Sequence, residues 1–132
     1  MRCFSCFVAL ALCLGTAPVQ AAPPSARVTP LLSHALPDRA GQEGSMLVVD
    51  YPPGGADPVH RHNASVFVYV LMGSVVMQVA GRKSVTLHAG QSFFEGPSDV
   101  HLIGRNASTT EAARFIAFFV KDRGAPFVQP VH

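Results

Sequence analysis

Short runs of apolar and β-branched residues alternate along this chain with turns that contain glycine or proline. The runs are four to ten residues long, a length typical of strands rather than of helices. They occupy residues 45–51, 66–72, 74–80, 84–88, 92–95, 100–105 and 113–122. No segment carries an apolar stripe of helical spacing longer than two turns. The pattern therefore predicts an all-β sandwich or barrel.

Three glycines separate these runs where tight connections are needed. Gly73, Gly81 and Gly90 each stand between two apolar segments. A tight hairpin requires a positive φ, which glycine adopts without steric cost. We interpret all three as turn residues with no chemical role.

Composition restricts the classes of function. Hydrophobic residues make up 48% of the chain and charged residues 14%, with a net charge of +2. This balance favours a folded domain with a buried core over a disordered chain. The longest basic run is the pair Arg82-Lys83, so nucleic acid is not an expected partner.

The N-terminal part of the chain has the features of a secretory signal. Arg2 precedes the apolar run 3–15, and small residues at Val19 and Ala21 match a cleavage pattern. We predict a signal peptide over 1–21, a flexible leader with a possible short edge strand over 22–44, a barrel over 45–122 and a tail over 123–132. An uncleaved anchor or a buried helix is the alternative for the first segment.

Export follows from this interpretation. All three cysteines (Cys3, Cys6 and Cys13) lie within the predicted signal, so the mature chain has no disulfide. The expected location is periplasmic or secreted, without a membrane partner after cleavage. Any soft-metal site in the mature chain must use histidine.

The pair His60 and His62 is the first candidate for chemistry. Side chains at i and i+2 of an extended chain share a face, with Cα atoms about 7 Å apart. Two imidazoles at this spacing can converge on one metal ion. The same parity predicts that Val66, Val68 and Val70 also face inward.

The opposite parity leaves an apolar outer face. Phe67, Tyr69 and Leu71 are predicted to point away from the interior, which removes Tyr69 as a proton donor. The segment 115–120 is similarly apolar. Faces of this kind are normally covered, so we expect a homodimer.

The spacing of glycine and histidine resembles that of the small single-domain cupins. Five residues separate Gly54 from His60-Arg61-His62, and six separate Val66 from Gly73, as in the first cupin motif. The second motif is similar over Gly90, Gly96-Pro97-Ser98 and His101, with Asn106 one place late after Arg105. The resemblance covers Ser45 to Asp122 and implies a double-stranded β-helix, or jelly-roll barrel.

The resemblance also implies a metal site, with one departure. The carried-over ligands are His60, His62 and His101, whereas the motif's glutamate falls on Val66, which cannot bind a metal. Three-histidine members of the family imply a divalent ion such as Fe, Mn, Zn, Ni or Cu. The implied activity is of the oxygenase or isomerase kind on a small anionic or phenolic substrate. A non-enzymatic ligand- or metal-binding module and a structural barrel with a vestigial site remain open.

Several other polar residues are candidate additions to this site. Asp57 and Glu95 could replace the missing carboxylate or act as a general base, but we expect solvated surface charges. Arg105 shares the parity of His101, yet a strand end in solvent is favoured. We assign no role to His34, His88 or His132. The candidate apolar walls, which we interpret as core, are Val68, Val70, Met77, Phe93 and Phe94.

Overall fold

The computed structural model describes residues 21–131, and the predicted signal peptide therefore falls almost entirely outside the described residues. This part of the chain contains ten strands and no helix. No segment of it has the helical length and apolar character that a membrane span requires. The strands are β1 (Arg27–Ala35), β2 (Gln42–Tyr51), β3 (His60–Arg61), β4 (Ser65–Met72), β5 (Ser74–Val79), β6 (Val85–His88), β7 (Ser92–Glu95), β8 (His101–Asn106), β9 (Ala113–Asp122) and β10 (Gln129–Pro130).

The strands form two antiparallel five-stranded sheets that enclose the core. One sheet has the order β1-β2-β9-β4-β7 and the other the order β10-β3-β8-β5-β6. Many neighbours in each sheet are distant in sequence, which is the arrangement of a jelly roll. The all-β jelly-roll prediction is confirmed.

The inward and outward faces of β4 follow the predicted alternation. Val66 and Val70 are each 1% exposed, whereas Phe67 is 51% exposed and Tyr69 49% exposed. A strand with one face on the core places successive side chains on opposite sides, so apolar residues at both parities produce one buried and one exposed apolar face. In the single chain, the outer face of β4 is therefore apolar and exposed to solvent.

The segments on either side of the predicted barrel are also part of the sheets. β1 is the nine-residue edge strand of the first sheet and pairs antiparallel with β2. β10 lies in the tail and pairs with β3 at His60 and Arg61. Buried Lys121 fixes the start of the tail, because its Nζ donates to Glu43 Oε1 at 2.6 Å and to Ala125 O at 2.7 Å. The leader and the tail thus contribute to the end of the barrel where the histidines lie.

The turn glycines have the predicted backbone conformation. Gly73, Gly81 and Gly90 have φ values of 70°, 78° and 88°. Gly73 also allows a close approach, since a Cβ there would lie 2.5 Å from the carbonyl oxygen of Ala112. This contact brings the β4–β5 turn against the start of β9.

Candidate metal centre

Three histidines from two neighbouring strands meet inside the barrel. His60 begins β3, His62 follows that strand, and His101 begins β8 directly opposite His60. Their exposed fractions are 5%, 9% and 4%. Each offers one ring nitrogen, and these three atoms lie within 4.8 Å of one another. The structure therefore brings together all three residues that the sequence predicted as ligands.

Backbone carbonyls fix the rings of the first two histidines. His60 Nδ1 donates to Pro58 O at 2.7 Å, and His62 Nδ1 donates to Phe127 O at 2.5 Å. A carbonyl oxygen can only accept, so in the neutral form of both rings the proton is on Nδ1 and the lone pair on Nε2. Second partners of this kind orient the histidine ligands of metal sites.

The two Nε2 atoms are placed as ligands of one cation would be. They lie 3.2 Å apart, so two lone pairs face each other. Nitrogen ligands about 2.1 Å from one metal, at an angle of about 100°, are separated by about the same distance. Both ring nitrogens of His101 are buried and make no hydrogen bond among the described residues. The donor set therefore fits a divalent ion, which would interact with all three rings.

The expectation that Glu95 is a solvated surface charge is wrong. Its exposed fraction is 2%, and its Oε2 lies 3.5 Å from His62 Nε2 and 3.3 Å from His101 Nδ1. Glu95 ends β7, in which Phe94 points outward at 43% exposure and the next side chain consequently points inward. Alternation along residues 92–95 puts Phe94 and Glu95 on opposite faces of the strand, but it does not by itself tell which face is inward.

In the metal-free protein, burial keeps the imidazoles of His62 and His101 neutral and favours the protonated form of Glu95. It lowers the pKa of His62 and of His101 to about 4. Burial, followed by the charge of Asp99, raises the pKa of Glu95 to about 7. The contacts of Glu95 with His62 and His101 are consequently not ion pairs at neutral pH, because the imidazoles carry no charge there.

A second acidic residue lies beside the histidines. Asp57 is half-buried, and its Oδ2 accepts a hydrogen bond from the hydroxyl of Tyr51, which is 1% exposed. Burial raises the pKa of Asp57, and burial together with the Asp57 charge raises the pKa of Tyr51. Gly104 leaves room for this pair, since a Cβ there would lie 3.0 Å from Tyr51 Oη and from His101 Cε1. Asp57 is thus held by the fold and is not a freely solvated charge.

The histidines open into a cavity of about 290 Å³. Its acidic lining groups are Asp57 and Glu95, and no lysine or arginine among the described residues lines it. Of the five candidate wall residues, Val68 and Met77 line the cavity, whereas Val70, Phe93 and Phe94 do not. The leader and tail add walls that the sequence did not indicate. The apolar lining comprises Val28, Leu47, Val49, Pro58, Val66, Val68, Met77, Phe115, Ala117, Phe119, Phe127 and Val128.

Residues left out of the predicted site lie away from it. Tyr69 and Arg105 are exposed, as expected from their positions. His34 and His88 are exposed and do not line the cavity. His132 falls outside the described residues.

Similar folds are found among proteins of different kinds. The cupin domain of Schizosaccharomyces pombe Cnp3 has a TM-score of 0.61 at 18% identity, over 74% of this chain and 61% of that one. The DMSP lyase DddQ from Ruegeria pomeroyi has a TM-score of 0.57 at 20% identity, over 63% of this chain and 41% of that one. A cupin domain from Bordetella pertussis Tohama I has a TM-score of 0.58 at 21% identity, over 77% of this chain and 99% of that one. These likenesses show the fold alone.

The family itself is shown by sequence. No curated protein sequence matches the chain. The chain spans less than two thirds of the length of the first two structures, at 41% and 61%. The sequence profile described as "Cupin domain" matches residues 47–119, which is more than half of the chain. This chain, with three buried histidines at the end of a jelly-roll barrel, therefore belongs to the cupin domain family.

Proposed function

We propose that this protein binds one divalent metal ion through His60, His62 and His101 and uses it to hold a small molecule in the adjoining cavity. The observation that carries this proposal is the facing pair of Nε2 atoms at 3.2 Å, with both Nδ1 atoms bonded to carbonyls. Two facing lone pairs repel each other unless a proton or a metal ion lies between them, and burial, which lowers the pKa of His62, disfavours the charged ring that a proton would create. Imidazole suits Fe, Zn, Ni and Cu, and a nearby carboxylate also suits Mn.

The bound ion would supply Lewis acidity beside an apolar cavity. The cavity residues favour the phenolic class of substrate over the anionic class, because two acidic side chains line the walls and, within residues 21–131, no lysine or arginine does. A carboxylate substrate would meet Asp57 and Glu95 without a compensating cation from the protein, whereas a phenol buries its ring against the valines and phenylalanines. Asp57, which accepts a hydrogen bond from Tyr51, is the candidate acceptor of the hydroxyl proton.

This arrangement supports an enzyme of the oxygenase or isomerase kind. A non-enzymatic module that holds a small ligand or a metal ion is the second candidate. It is favoured by the hydrogen bond from Tyr51 to Asp57, which already occupies one oxygen of the cavity's candidate base. Oxygen consumption or product formation with a panel of phenols separates the enzyme from the module, since a module shows only thermal stabilisation by its ligand.

Metal content of the purified protein tests the proposal. We expect about one divalent ion per chain by elemental analysis after purification without chelator. Removal of the ion by a chelator should lower the melting temperature, and readdition should restore it, because a ligand that binds only the folded state stabilises it. A protein purified without metal, with a melting temperature unaffected by added Mn²⁺, Ni²⁺ or Zn²⁺, would contradict the proposal.

We also propose export to the periplasm or the exterior, supported by the sequence of residues 1–21. The N-terminus of the protein recovered from its own cells tests this: cleavage after Ala21 is expected, and an intact Met1 would contradict it.

We further propose a homodimer that uses the outer face of β4, β7 and β9. Phe67 packs against Phe94 and Phe118 on this face, with ring centroids 5.1 Å and 6.4 Å apart, and remains 51% exposed. Light scattering should give twice the chain mass, and Phe67→Lys should give the monomer by placing a charge in the interface. A monomeric parent protein would overturn the assignment.

A further inference from the structure

Val66 and Glu95 occupy directly opposite positions on neighbouring strands. Val66 lies on β4 and Glu95 on β7, and the two form a cross-strand pair in the antiparallel register. Opposite residues of such a pair project from the same face of the sheet, with Cβ atoms about 5 Å apart. Both side chains are buried, at 1% and 2% exposure. Position 95 therefore enters the barrel from the same face and at the same level as position 66.

The carboxylate of Glu95 has no cationic side chain within ion-pair distance among the described residues. Its Oε2 is buried and makes no hydrogen bond there, although it lies 3.3 Å from a ring nitrogen of His101 and 3.5 Å from one of His62. Arg82 pairs instead with Asp99 at 2.6 Å. A buried carboxylate is expensive unless it is paired with a cation or is protonated. The three histidines and Glu95 thus form an incomplete polar cluster that a cation would complete.

We infer that Glu95 is a ligand of the same divalent ion, and that it replaces from β7 the glutamate missing from position 66 on β4. This inference rests on the proposed metal site. The register explains why valine is tolerated at position 66. The small apolar side chain of Val66 forms part of the cavity wall, and the carboxylate of Glu95 reaches the histidines from the neighbouring strand β7. The ligand set then consists of three neutral imidazoles and one carboxylate, whose negative charge offsets part of the positive charge of the ion.

The first test removes only the charge. Glu95→Gln keeps the size of the side chain but removes the charge of a ligand, so the affinity for Mn²⁺ is expected to fall about a hundredfold. The affinity for Ni²⁺ should fall by a smaller factor, since Ni²⁺ favours imidazole and Mn²⁺ favours carboxylate oxygen. Glu111→Gln is the control, because Glu111 is exposed and outside the cavity. Competition titration with a chromophoric chelator measures both ions.

The second test moves the carboxylate back across the strand pair. Glu95→Val alone should lose Mn²⁺ binding like Glu95→Gln, and the double variant Glu95→Val/Val66→Glu should recover most of it. The d–d absorption of bound Co²⁺ should change in the single variants, because a ligand is lost. Circular dichroism and melting temperature confirm that each variant is folded.

The inference and the metal site fail in different ways. If Glu95→Gln binds Mn²⁺ and Ni²⁺ within twofold of the parent and leaves the Co²⁺ spectrum unchanged, Glu95 is not a ligand and the three-histidine site stands alone. If the parent protein binds none of these ions, the metal site itself is overturned and the inference with it. An equal loss of both affinities without a spectral change would also count against ligation.

Discussion

Replacement of any one of His60, His62 and His101 by alanine is expected to lower the affinity for a divalent ion more than a hundredfold. Zinc sites with four protein ligands bind with about 10–16 kcal/mol, so one ligand corresponds to about 2.5–4 kcal/mol, which is a factor of about a hundred to a thousand. The rings here are held by the fold before the ion arrives, since His60 and His62 each donate Nδ1 to a carbonyl. Loss of a fixed ligand therefore has no compensating gain in flexibility.

His88→Ala is the matched control for these variants. His88 is an exposed histidine at the end of β6, and its ring lies outside the cavity. Competition titration should give the parent affinity for His88→Ala and a large loss for each ligand variant. Metal content at the parent level in all three ligand variants would show that the ion binds elsewhere.

The candidate ligand set could be predicted because it depends on local chain geometry. His60 and His62 are two residues apart in an extended segment, so the shared face follows from the period of the backbone alone. His101 could be added through the family motif, and the structure shows that it is the cross-strand partner of His60. The inward parity of Val66 and Val70 follows by the same counting along β4.

Glu95 could not be placed because its position depends on strand pairing. β7 is only four residues long, so alternation alone does not decide its inward parity. The register that sets Glu95 opposite Val66 is a property of two segments far apart in sequence. Arg105 shows that parity alone is insufficient: it shares the parity of His101, but the register is irregular opposite Gln78 and Val79, and Arg105 is exposed, as the favoured solvent position predicts.

In the metal-free protein, Glu95→Gln is expected to increase the free energy of unfolding at pH 8 by up to about 3 kcal/mol. Burial raises the pKa of Glu95 from 4.5 to about 7. Between these values the folded chain retains a proton that the unfolded chain releases, so rising pH favours unfolding. The destabilisation is therefore complete above pH 7 and absent below pH 4.5, and a shift of this size corresponds to about 3 kcal/mol. Denaturant unfolding in a chelating buffer measures it.

Addition of a divalent ion should reverse the order of stability, so that the parent becomes more stable than Glu95→Gln. The ion compensates the buried negative charge, so the parent should gain more stability than Glu95→Gln from the same concentration of Mn²⁺. Glu111→Gln should follow the parent under both conditions, because the Glu111 side chain is exposed. If Glu95→Gln were no more stable than the parent in chelator, the ionised Glu95 side chain would not destabilise the metal-free protein. If the variant instead kept its advantage in Mn²⁺, the destabilising carboxylate would serve no cation at this site. The variant should be the more stable protein in chelator and the parent the more stable one in Mn²⁺. Only this reversal would show that the carboxylate that destabilises the metal-free protein also binds the metal.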